Sequence, residues 1–329
     1  MALQRAGLRS RPFLLGSRKF NMDTLLLIDG NSVGFAAHAS PRLHAAGMET
    51  QAVFGFMRTM RVLATTFRGA KPIVFWDGKS WRKEVSADYK ANRDDNPKMK
   101  KQRDAYKAQR PHISRGLQKL GVTQMMAMNM EADDLIAITV RRFKGKRRMV
   151  VISADKDLLQ LVDRGVDWYD PIKENRVTHG DFAEYTGYAN PQQFVQGKAL
   201  HGDPSDNLKG VGGIGEKAAP LLLQEFGTVR DFIKRFREEG ESCIPDSLSR
   251  YRSKLIKFAN NEDGGCDRFK ENFRLMCLLS PETFGPKPEK LTRQQQPFDA
   301  EGFEDFCAEL AFNSILKSFN DWTAPFNTQ

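Results

Sequence analysis

Two carboxylates lie beside a glycine-rich turn in the stretch from His201 to Lys217. Asp203 and Asp206 are followed by glycines whose small size leaves backbone N–H groups uncovered and able to line a site for an anion. These glycines are Gly210, Gly212, Gly213 and Gly215. A helix is expected from about Glu216, and its N-terminal amides together with Lys217 favour a bound phosphate. The loop thus offers acids for a metal ion and amides for a phosphate, although a tight turn between two helices also explains the glycines.

Three apolar runs that are too short for helices each end in aspartate. Residues 24–28, 72–76 and 149–154 predict buried strands. The acids that follow them are Asp29, Asp77, Asp155 and Asp157. Helical patterns separate the runs, so the sequence predicts an α/β fold with a parallel sheet flanked by helices. Ligands of such sheets bind beyond the carboxyl ends of the strands, and we therefore expect these acids to converge at one edge.

A further group of acids, Glu131, Asp133 and Asp134, precedes an apolar helical pattern. Acids in a first helical turn complement the helix dipole, so this group alone requires no chemistry. Together with Asp29, Asp77, Asp155, Asp157, Asp203 and Asp206 it makes nine carboxylates. So many acids at one edge would repel each other unless cations lay among them, and oxygen ligands favour Mg²⁺ or Mn²⁺. The five histidines, His38, His44, His112, His179 and His201, do not recur at matching positions and are interpreted as surface or packing residues.

Basic residues dominate the segment 82–115, which contains few large apolar side chains. A solvated helical face or a mobile loop explains such a composition when nothing else is nearby. Next to an acidic metal site, the segment is interpreted as a basic arch that attracts a single nucleic-acid strand, with Trp81 and Tyr89 available to stack on bases.

Helical patterns dominate after residue 180, and we divide the chain accordingly. Residues 1–22 are interpreted as a basic, disordered leader, 23–180 as the α/β core with its arch, and 181–284 as a helical region. Residues 285–329 are expected to form an irregular connector and one amphipathic helix, 303–319, that docks back onto the core.

The composition is that of a globular protein with a net charge of +10 and a pI near 9.4, which is typical of proteins with polyanionic partners. The four cysteines show no C-x-x-C spacing, so neither a disulfide framework nor a zinc site is predicted. No apolar run is long enough to span a bilayer. The leader carries five basic residues and no acid, which is typical of an organelle transit peptide or of a basic tail before a start at Met22. We favour the tail, and with it a bacterial or phage-infected cytoplasm over an organelle matrix.

In combination, the motifs resemble those of the 5′→3′ exonuclease and flap endonuclease family, which includes phage 5′ nucleases and the N-terminal domain of DNA polymerase I. The resemblance covers roughly residues 25–319. The motifs that carry it are Ile28-Asp29-Gly30-Asn31, Trp76-Asp77, Tyr89-Lys90-Ala91-Asn92-Arg93, Glu131-Ala132-Asp133-Asp134, Ser153-Ala154-Asp155-Lys156-Asp157, and Gly202-Asp203-x-x-Asp206-Asn207 followed by the glycines of 210–217. The implied fold is the PIN-like 5′-nuclease core with a helical arch and a helix-hairpin-helix motif at 202–227.

The resemblance implies two divalent metal ions. One would be held by Asp29, Asp77, Glu131, Asp133 and Asp134, and the other by Asp155, Asp157, Asp203 and Asp206. Lys90 and Arg93 would be the catalytic basic pair near the scissile phosphate. The helix-hairpin-helix would grip duplex backbone and hold K⁺ through its carbonyls. The DNA-binding set is Lys83, Tyr89, Lys90, Arg93, Lys209, Gly210, Gly212, Gly213, Gly215 and Lys217.

The leading hypothesis is a monomeric, Mg²⁺-dependent 5′ nuclease that acts on DNA with 5′ ends, flaps or branches, and on RNA–DNA hybrids as a further substrate. Two such cations would activate water and stabilise charge on the attacking and leaving oxygens. A catalytically silent module that binds DNA structures is one alternative, but it gains nothing from keeping so many mutually repelling acids. A PIN-like ribonuclease is the other, and it needs neither the arch nor the helix-hairpin-helix.

Overall fold

The structure is a computed structural model that describes residues 24–45, 47–280 and 284–327. The leader predicted at residues 1–22 lies outside the described residues. No helix in the described ranges is both long and apolar enough to cross a membrane.

A seven-stranded sheet forms the centre of the molecule, in the order β11-β5-β4-β1-β6-β7-β8. The strands of the chain are β1 Leu25–Asp29, β2 His44–Ala45, β3 Met48–Glu49, β4 Lys71–Trp76, β5 Thr123–Met126, β6 Met149–Ile152, β7 Val166–Asp170, β8 Asn175–Val177, β9 Gly202–Asp203, β10 Leu208–Lys209 and β11 Thr292–Gln294. The five central strands, β5, β4, β1, β6 and β7, are parallel to one another. The edge strands β11 and β8 are each antiparallel to their neighbour. The predicted parallel sheet flanked by helices is confirmed.

Helices cover both faces of this sheet. They are α1 Gly30–His38, α2 Gln51–Thr66, α3 Arg82–Val85, α4 Pro97–Lys119, α5 Ala132–Phe143, α6 Phe182–Thr186, α7 Pro191–His201, α8 Ala218–Phe226, α9 Val229–Glu239, α10 Arg252–Ala259, α11 Gly265–Met276, α12 Ala300–Glu309, α13 Asn313–Leu316 and α14 Phe319–Thr323. Strand β1 is buried on both faces, as a central parallel strand requires. Leu25 and Leu27 face the cluster that includes α5, and Leu26 and Ile28 face the cluster that includes α2.

The position of β1 determines where a ligand site can form. The chain adds β4 and β5 on one side of β1 and then returns to add β6 and β7 on the other side. Adjacent crossovers therefore leave the carboxyl ends of the central strands in opposite directions, which opens a crevice there. Asp29 ends β1, and Asp77 directly follows β4 at the same edge.

The structure adds to the expected arch and differs from the expected C-terminal segment. The second half of 82–115 also contributes to the core, because Tyr106, Ile113 and Leu117 on α4 are buried. The single helix expected at 303–319 is instead three short helices, and Ala311 between the first two has a φ of 54°, which no α-helix allows.

The last segment returns to the core. Phe303, Phe306, Trp322 and Phe326 pack into the same cluster as α2 and α4. The stretch expected to be an irregular connector also contains β11, which pairs with β5 from Thr292 to Gln294. Sheet and C-terminal helices thus form one hydrophobic body.

Candidate metal centre and nucleic-acid interface

Asp29 and Asp77 are positioned by hydrogen bonds from backbone and side-chain groups. Asp29 caps α1, and its Oδ1 accepts from the backbone N–H groups of Asn31 and Ser32 at 3.1 and 3.0 Å. The Ser153 hydroxyl donates to its Oδ2 at 3.0 Å. The Ala132 backbone N–H donates to Asp77 Oδ1 at 2.7 Å, which ties the end of β4 to the start of α5. The strand-end acids therefore converge, as expected.

Four acids at this edge, Asp29, Asp77, Asp133 and Asp155, repel each other. Burial, together with repulsion from Asp77 and Asp155, raises the pKa of Asp29 to about 7. Burial also raises the pKa of Asp133 well above its ordinary value, with added repulsion from Asp29, Asp155 and Asp77. Burial, followed by repulsion from Glu131, raises the pKa of Asp77. Lys90 offsets part of the charge at Asp77, but the raised pKa values of all three acids show that repulsion and burial still dominate in this part of the site.

Glu131 lies in a different environment, because basic groups surround it. Lys90 Nζ lies 2.5 Å from Glu131 Oε1, and Arg82 Nη1 lies 2.9 Å from Oε2. The hydroxyls of Ser80 and Tyr89 donate to the same Oε2 at 3.0 and 3.2 Å. Burial alone would raise the pKa of Glu131, but the attraction of Lys90 and Arg82 outweighs it and lowers the pKa to about 2.

Asp134 faces away from the repelling acids and pairs with Arg82. Its Oδ1 lies 2.7 Å from Arg82 Nη2, and its Oδ2 accepts from Arg82 Nη1 at 2.9 Å and from the Trp81 indole N–H at 3.2 Å. Oδ2 also accepts from the Glu131 backbone N–H and closes a capping box at the start of α5. The assignment of Asp134 as a metal ligand is therefore corrected, because both of its oxygens hold the base of the arch.

The proposed base-stacking role of Trp81 and Tyr89 is corrected as well. Tyr89 is only 4% exposed and Trp81 only 6%. Tyr89 packs with Val195 and Leu275, so its ring is not open to a base. Both aromatic residues anchor the arch. Lys83, between them in sequence, is exposed.

Lys198 is a basic residue of the site that the sequence reasoning missed. Its ammonium pairs with Asp157 and lies 3.0 Å from Asp203 Oδ2. Burial and repulsion from Asp155 raise the pKa of Asp157 to about 6, although Lys198 opposes the shift. The pKa of Asp203 is lowered, because hydrogen bonds from Ser205 and the charge of Lys198 outweigh burial. The sequence does contain one sign of this role, because Lys198 lies in the last turn of α7, which leads directly into the loop with Asp203 and Asp206.

The base of the arch is joined to the loop that contains Asp203 and Asp206. The Lys90 backbone N–H donates to the Asp206 carbonyl at 2.9 Å, and Arg93 Nη2 lies 3.0 Å from Asp206 Oδ1. The side-chain amide of Asn92 donates to the Pro204 carbonyl at 3.0 Å, and that of Asn207 to the Asp88 carbonyl at 2.9 Å. Lys90 and Asn207 both adopt left-handed backbone, with φ of 56° and 59°. Such strain persists only where the surroundings enforce it, and here four contacts do so.

Within the part of the chain that the structure describes, no group of three or more His, Cys, Asp or Glu side chains is arranged to hold a metal ion. Lys90, Arg82 and Lys198 take up carboxylate oxygens that a bound cation would otherwise use. The donor set itself fits a hard divalent cation, because it consists of oxygens and includes buried acids that repel each other. A cavity of about 30 Å³ lies among Glu131, Asp133, Asp155, Asp157 and Asp206, and this is the volume of about one water molecule.

The glycine-rich turn is an exposed hairpin before α8. Gly212 and Gly213 have φ of 39° and 85°, and both are exposed, as are Lys209 and Lys217. Gly210 is required by close approach, because a Cβ there would lie 2.3 Å from the His201 carbonyl oxygen. Helix α8 begins at Ala218, two residues later than expected. The hairpin therefore presents backbone and lysines to solvent, on the chain segment that directly follows the acidic loop.

Two family models match the chain in tandem. The 5′-3′ exonuclease N-terminal resolvase-like domain matches residues 24–187, and the 5′-3′ exonuclease C-terminal SAM fold matches residues 189–261. The chain belongs to the 5′-3′ exonuclease family. This confirms the resemblance that the motifs carried.

Named relatives agree with this membership. The 5′-3′ exonuclease of Aquifex aeolicus is 32% identical over 250 residues, which are 74% of this chain and 84% of that protein. DNA polymerase I of Lactococcus lactis is 34% identical over 313 residues, which are 88% of this chain but 33% of the polymerase. The chain thus spans about a third of the length of this polymerase.

Solved structures share the fold of this 5′-3′ exonuclease family member. A phage T5 5′-exonuclease with bound zinc ions has a TM-score of 0.63 at 21% identity and covers 87% of this chain and 99% of its own. A bacteriophage T5 flap endonuclease in complex with DNA and metal ions has a TM-score of 0.62 at 21% identity, with 93% and 100% covered. At 21% identity these structures establish the fold of the chain.

The raised pKa of Asp29 predicts how pH and metal ions affect stability. A carboxyl with a folded-state pKa of about 7 binds a proton more tightly in the folded than in the unfolded chain. In EDTA, its contribution to the free energy of unfolding is expected to fall by about 2 kcal/mol from about pH 5 to pH 7.5. Mg²⁺ should restore this loss, and its stabilising effect should be larger at the higher pH, because the metal no longer displaces a proton.

The measurement is the difference between wild type and Asp29→Asn in denaturant unfolding at each pH. Asn retains the helix cap but carries no charge. Burial lowers the pKa of His38 and His201, so these residues titrate in the same range with the opposite sign, and the difference removes their contribution. If wild type instead gains stability relative to Asp29→Asn as the pH rises in EDTA, the pKa of Asp29 is not raised in the folded protein.

Proposed function

We propose that this chain hydrolyses phosphodiester bonds of DNA at 5′ ends and 5′ flaps, with Mg²⁺ as the working metal and Mn²⁺ as a substitute. The observation that carries the proposal is the contrast among its acids. Asp29, Asp77, Asp133 and Asp155 repel each other, the nearby Lys90 offsets only part of this charge at Asp77, and the four acids lie directly beside a basic arch. A purely DNA-binding protein has no use for such charge, because it would repel the DNA backbone.

The residues that would hold the metal ions are these four acids, together with Glu131, Asp157, Asp203 and Asp206. Divalent cations bound there would acidify the attacking water and offset charge on the phosphate. Lys90 and Lys198 lie among the same carboxylates, so they are placed to exchange their acidic partners for the phosphate as DNA and metal enter. Arg93, at 47% exposure, lies on the outer side of the acidic loop and extends the positive surface towards the incoming strand.

The arch and the hairpin supply contacts of two kinds. The arch lies over the strand-end acids and is suited to a single strand, whereas the hairpin is suited to the backbone of the adjoining duplex. We further propose that hairpin carbonyls hold K⁺, that RNA–DNA hybrids are accepted, and that the protein acts as a monomer. Opening the base pair at the cut costs a few kcal/mol and less at a frayed end, which favours flaps and ends.

One assay tests the proposal against its alternatives. End-labelled 5′-flap DNA, the matching RNA–DNA hybrid and single-stranded RNA are each incubated with Mg²⁺ or EDTA, with Asp157→Ala as the control protein. We expect the flap to be cut only with metal, and Asp157→Ala to bind it without cutting. Binding without any cleavage by wild type would instead identify a silent DNA-binding module. Cleavage confined to single-stranded RNA would identify a PIN-like ribonuclease.

A further inference from the structure

A cavity of about 370 Å³ lies beside the arch helix, apart from the acidic cluster. It is enclosed by α4, the end of β4, β5 and the edge strand β11. Its principal lining residues are Trp76, Lys107, Arg110, Gln124, Met126 and Gln294. Pockets of this size accommodate small organic ligands, and a mixture of apolar wall and a few placed polar groups is typical of them.

Arg110 gives this cavity positive charge that is not neutralised. Its guanidinium lies over the Trp76 ring, 5.0 Å from the centroid, and its Nη2 donates to the Asp77 carbonyl at 3.2 Å. Across residues 24–45, 47–280 and 284–327, no carboxylate forms an ion pair with Arg110. Lys107, one turn earlier on α4, has only the exposed Asp104 at 3.5 Å. A half-buried arginine without an acid beside it favours an anionic ligand.

A row of basic residues leads along α4 to the cavity. Lys100, Arg103, Lys107 and Arg110 recur every three or four residues and therefore share one face of the helix. They extend over about 15 Å of helix axis, from the start of the arch to the cavity. A polyanionic strand that passes the arch along this face would reach the cavity.

We propose that the cavity receives one nucleotide of the displaced 5′ single strand. Its phosphate would contact Arg110 and Lys107, and its base would lie against Met126 and the edge of Trp76, with the exposed Gln294 at the polar rim. A nucleotide matches both properties of the cavity, because it combines an anion with a flat apolar surface. The proposal rests on the proposed function, since it names where the strand that the nuclease displaces is held.

The first test compares two charge reversals on α4. Lys107→Glu and Lys101→Glu change the net charge equally, but Lys101 lies about 120° around the helix from Lys107 and off the face that leads to the cavity. Affinity is measured by anisotropy in EDTA for the same duplex with and without a short 5′ flap. We expect Lys107→Glu to reduce affinity for the flapped duplex about tenfold and Lys101→Glu to have a much smaller effect. For the duplex without a flap, the two variants should bind with equal affinity.

The second test locates the base. 2-Aminopurine is placed at successive flap positions, and its emission is expected to be quenched at one position when wild type binds. Gln294→Trp, which fills the cavity from β11, should abolish this quenching, and Gln294→Ala, which leaves it open, should not. Circular dichroism and thermal unfolding of both variants establish that they fold.

Each outcome decides the proposal. The proposal is overturned if Lys107→Glu and Lys101→Glu lose equal affinity for the flapped duplex, or if quenching persists in Gln294→Trp. In either case, cleavage of flaps by wild type still supports the proposed function. Wild type that neither cuts flap DNA with Mg²⁺ nor prefers it to flush duplex would refute the proposed function itself.

Discussion

Replacing Asp133 by Asn is expected to reduce cleavage of flap DNA about 10³-fold in Mg²⁺ without destabilising the protein. The charge of Asp133 is repelled by Asp29, Asp155 and Asp77, so its loss relieves repulsion in the metal-free protein. The same loss removes an oxygen donor from the set that a cation needs. We therefore expect the free energy of unfolding in EDTA to stay constant or rise, while stabilisation by Mg²⁺ weakens.

The neighbouring substitution Asp134→Asn is the matched control, because it makes the same chemical change one residue away. It leaves Arg82 buried with half of its charge partners, which is expected to cost about 3 kcal/mol of unfolding free energy. Single-turnover cleavage and urea unfolding of both variants separate the two roles. Loss of stability in Asp133→Asn, with stability unchanged in Asp134→Asn, would reverse the assignment made from the structure.

Lys90→Met is expected to slow single-turnover cleavage about 10²-fold, with substrate affinity less affected. Lys90 provides the largest attraction on Glu131 and also lies 3.9 Å from Asp206 Oδ2. Its loss removes the positive charge nearest to Glu131 and lets the pKa of Glu131 rise. Met is no more strained than Lys at a φ of 56°, so the substitution tests the charge and not the backbone.

Two comparisons define the specificity of this effect. Arg93→Met should reduce the rate less, about tenfold, because Arg93 is half exposed and water screens its charge. Lys83→Met removes an exposed charge seven residues earlier and should weaken binding at low salt without slowing the chemical step. If Lys83→Met and Lys90→Met slow cleavage equally, the arch acts through net charge and Lys90 has no individual role.

The sequence was sufficient to locate the acids that end strands. Asp29 and Asp77 follow buried apolar runs, and the geometry of a parallel sheet then places them at one edge. The sequence did not separate Asp133 from Asp134, because the separation depends on Arg82, which comes from a segment interpreted as a basic arch for nucleic acid. An arginine in a basic run carries no local sign that it will be buried against an acid about 50 residues later.

The elements that were missed have equally specific causes. Strand β5 has the sequence Thr123-Gln124-Met125-Met126, without the β-branched run that marks its neighbours. Strand β11 is short, polar and fully exposed, and only its pairing with β5 makes it a strand. Lys198 belongs to the site through the close approach of α7 to the short helical turn after β6, a tertiary contact that no local pattern encodes.

The edge strand β11 also bears on how the protein is made. Thr292 pairs with Met126, 166 positions earlier in the chain. Once β7 has been translated, every parallel strand is present, but β5 keeps an open border with unpaired backbone groups until β11 is made. An open strand border is a place where another chain can pair, so the C-terminal segment closes the border most exposed to aggregation only after the rest of the sheet has been made.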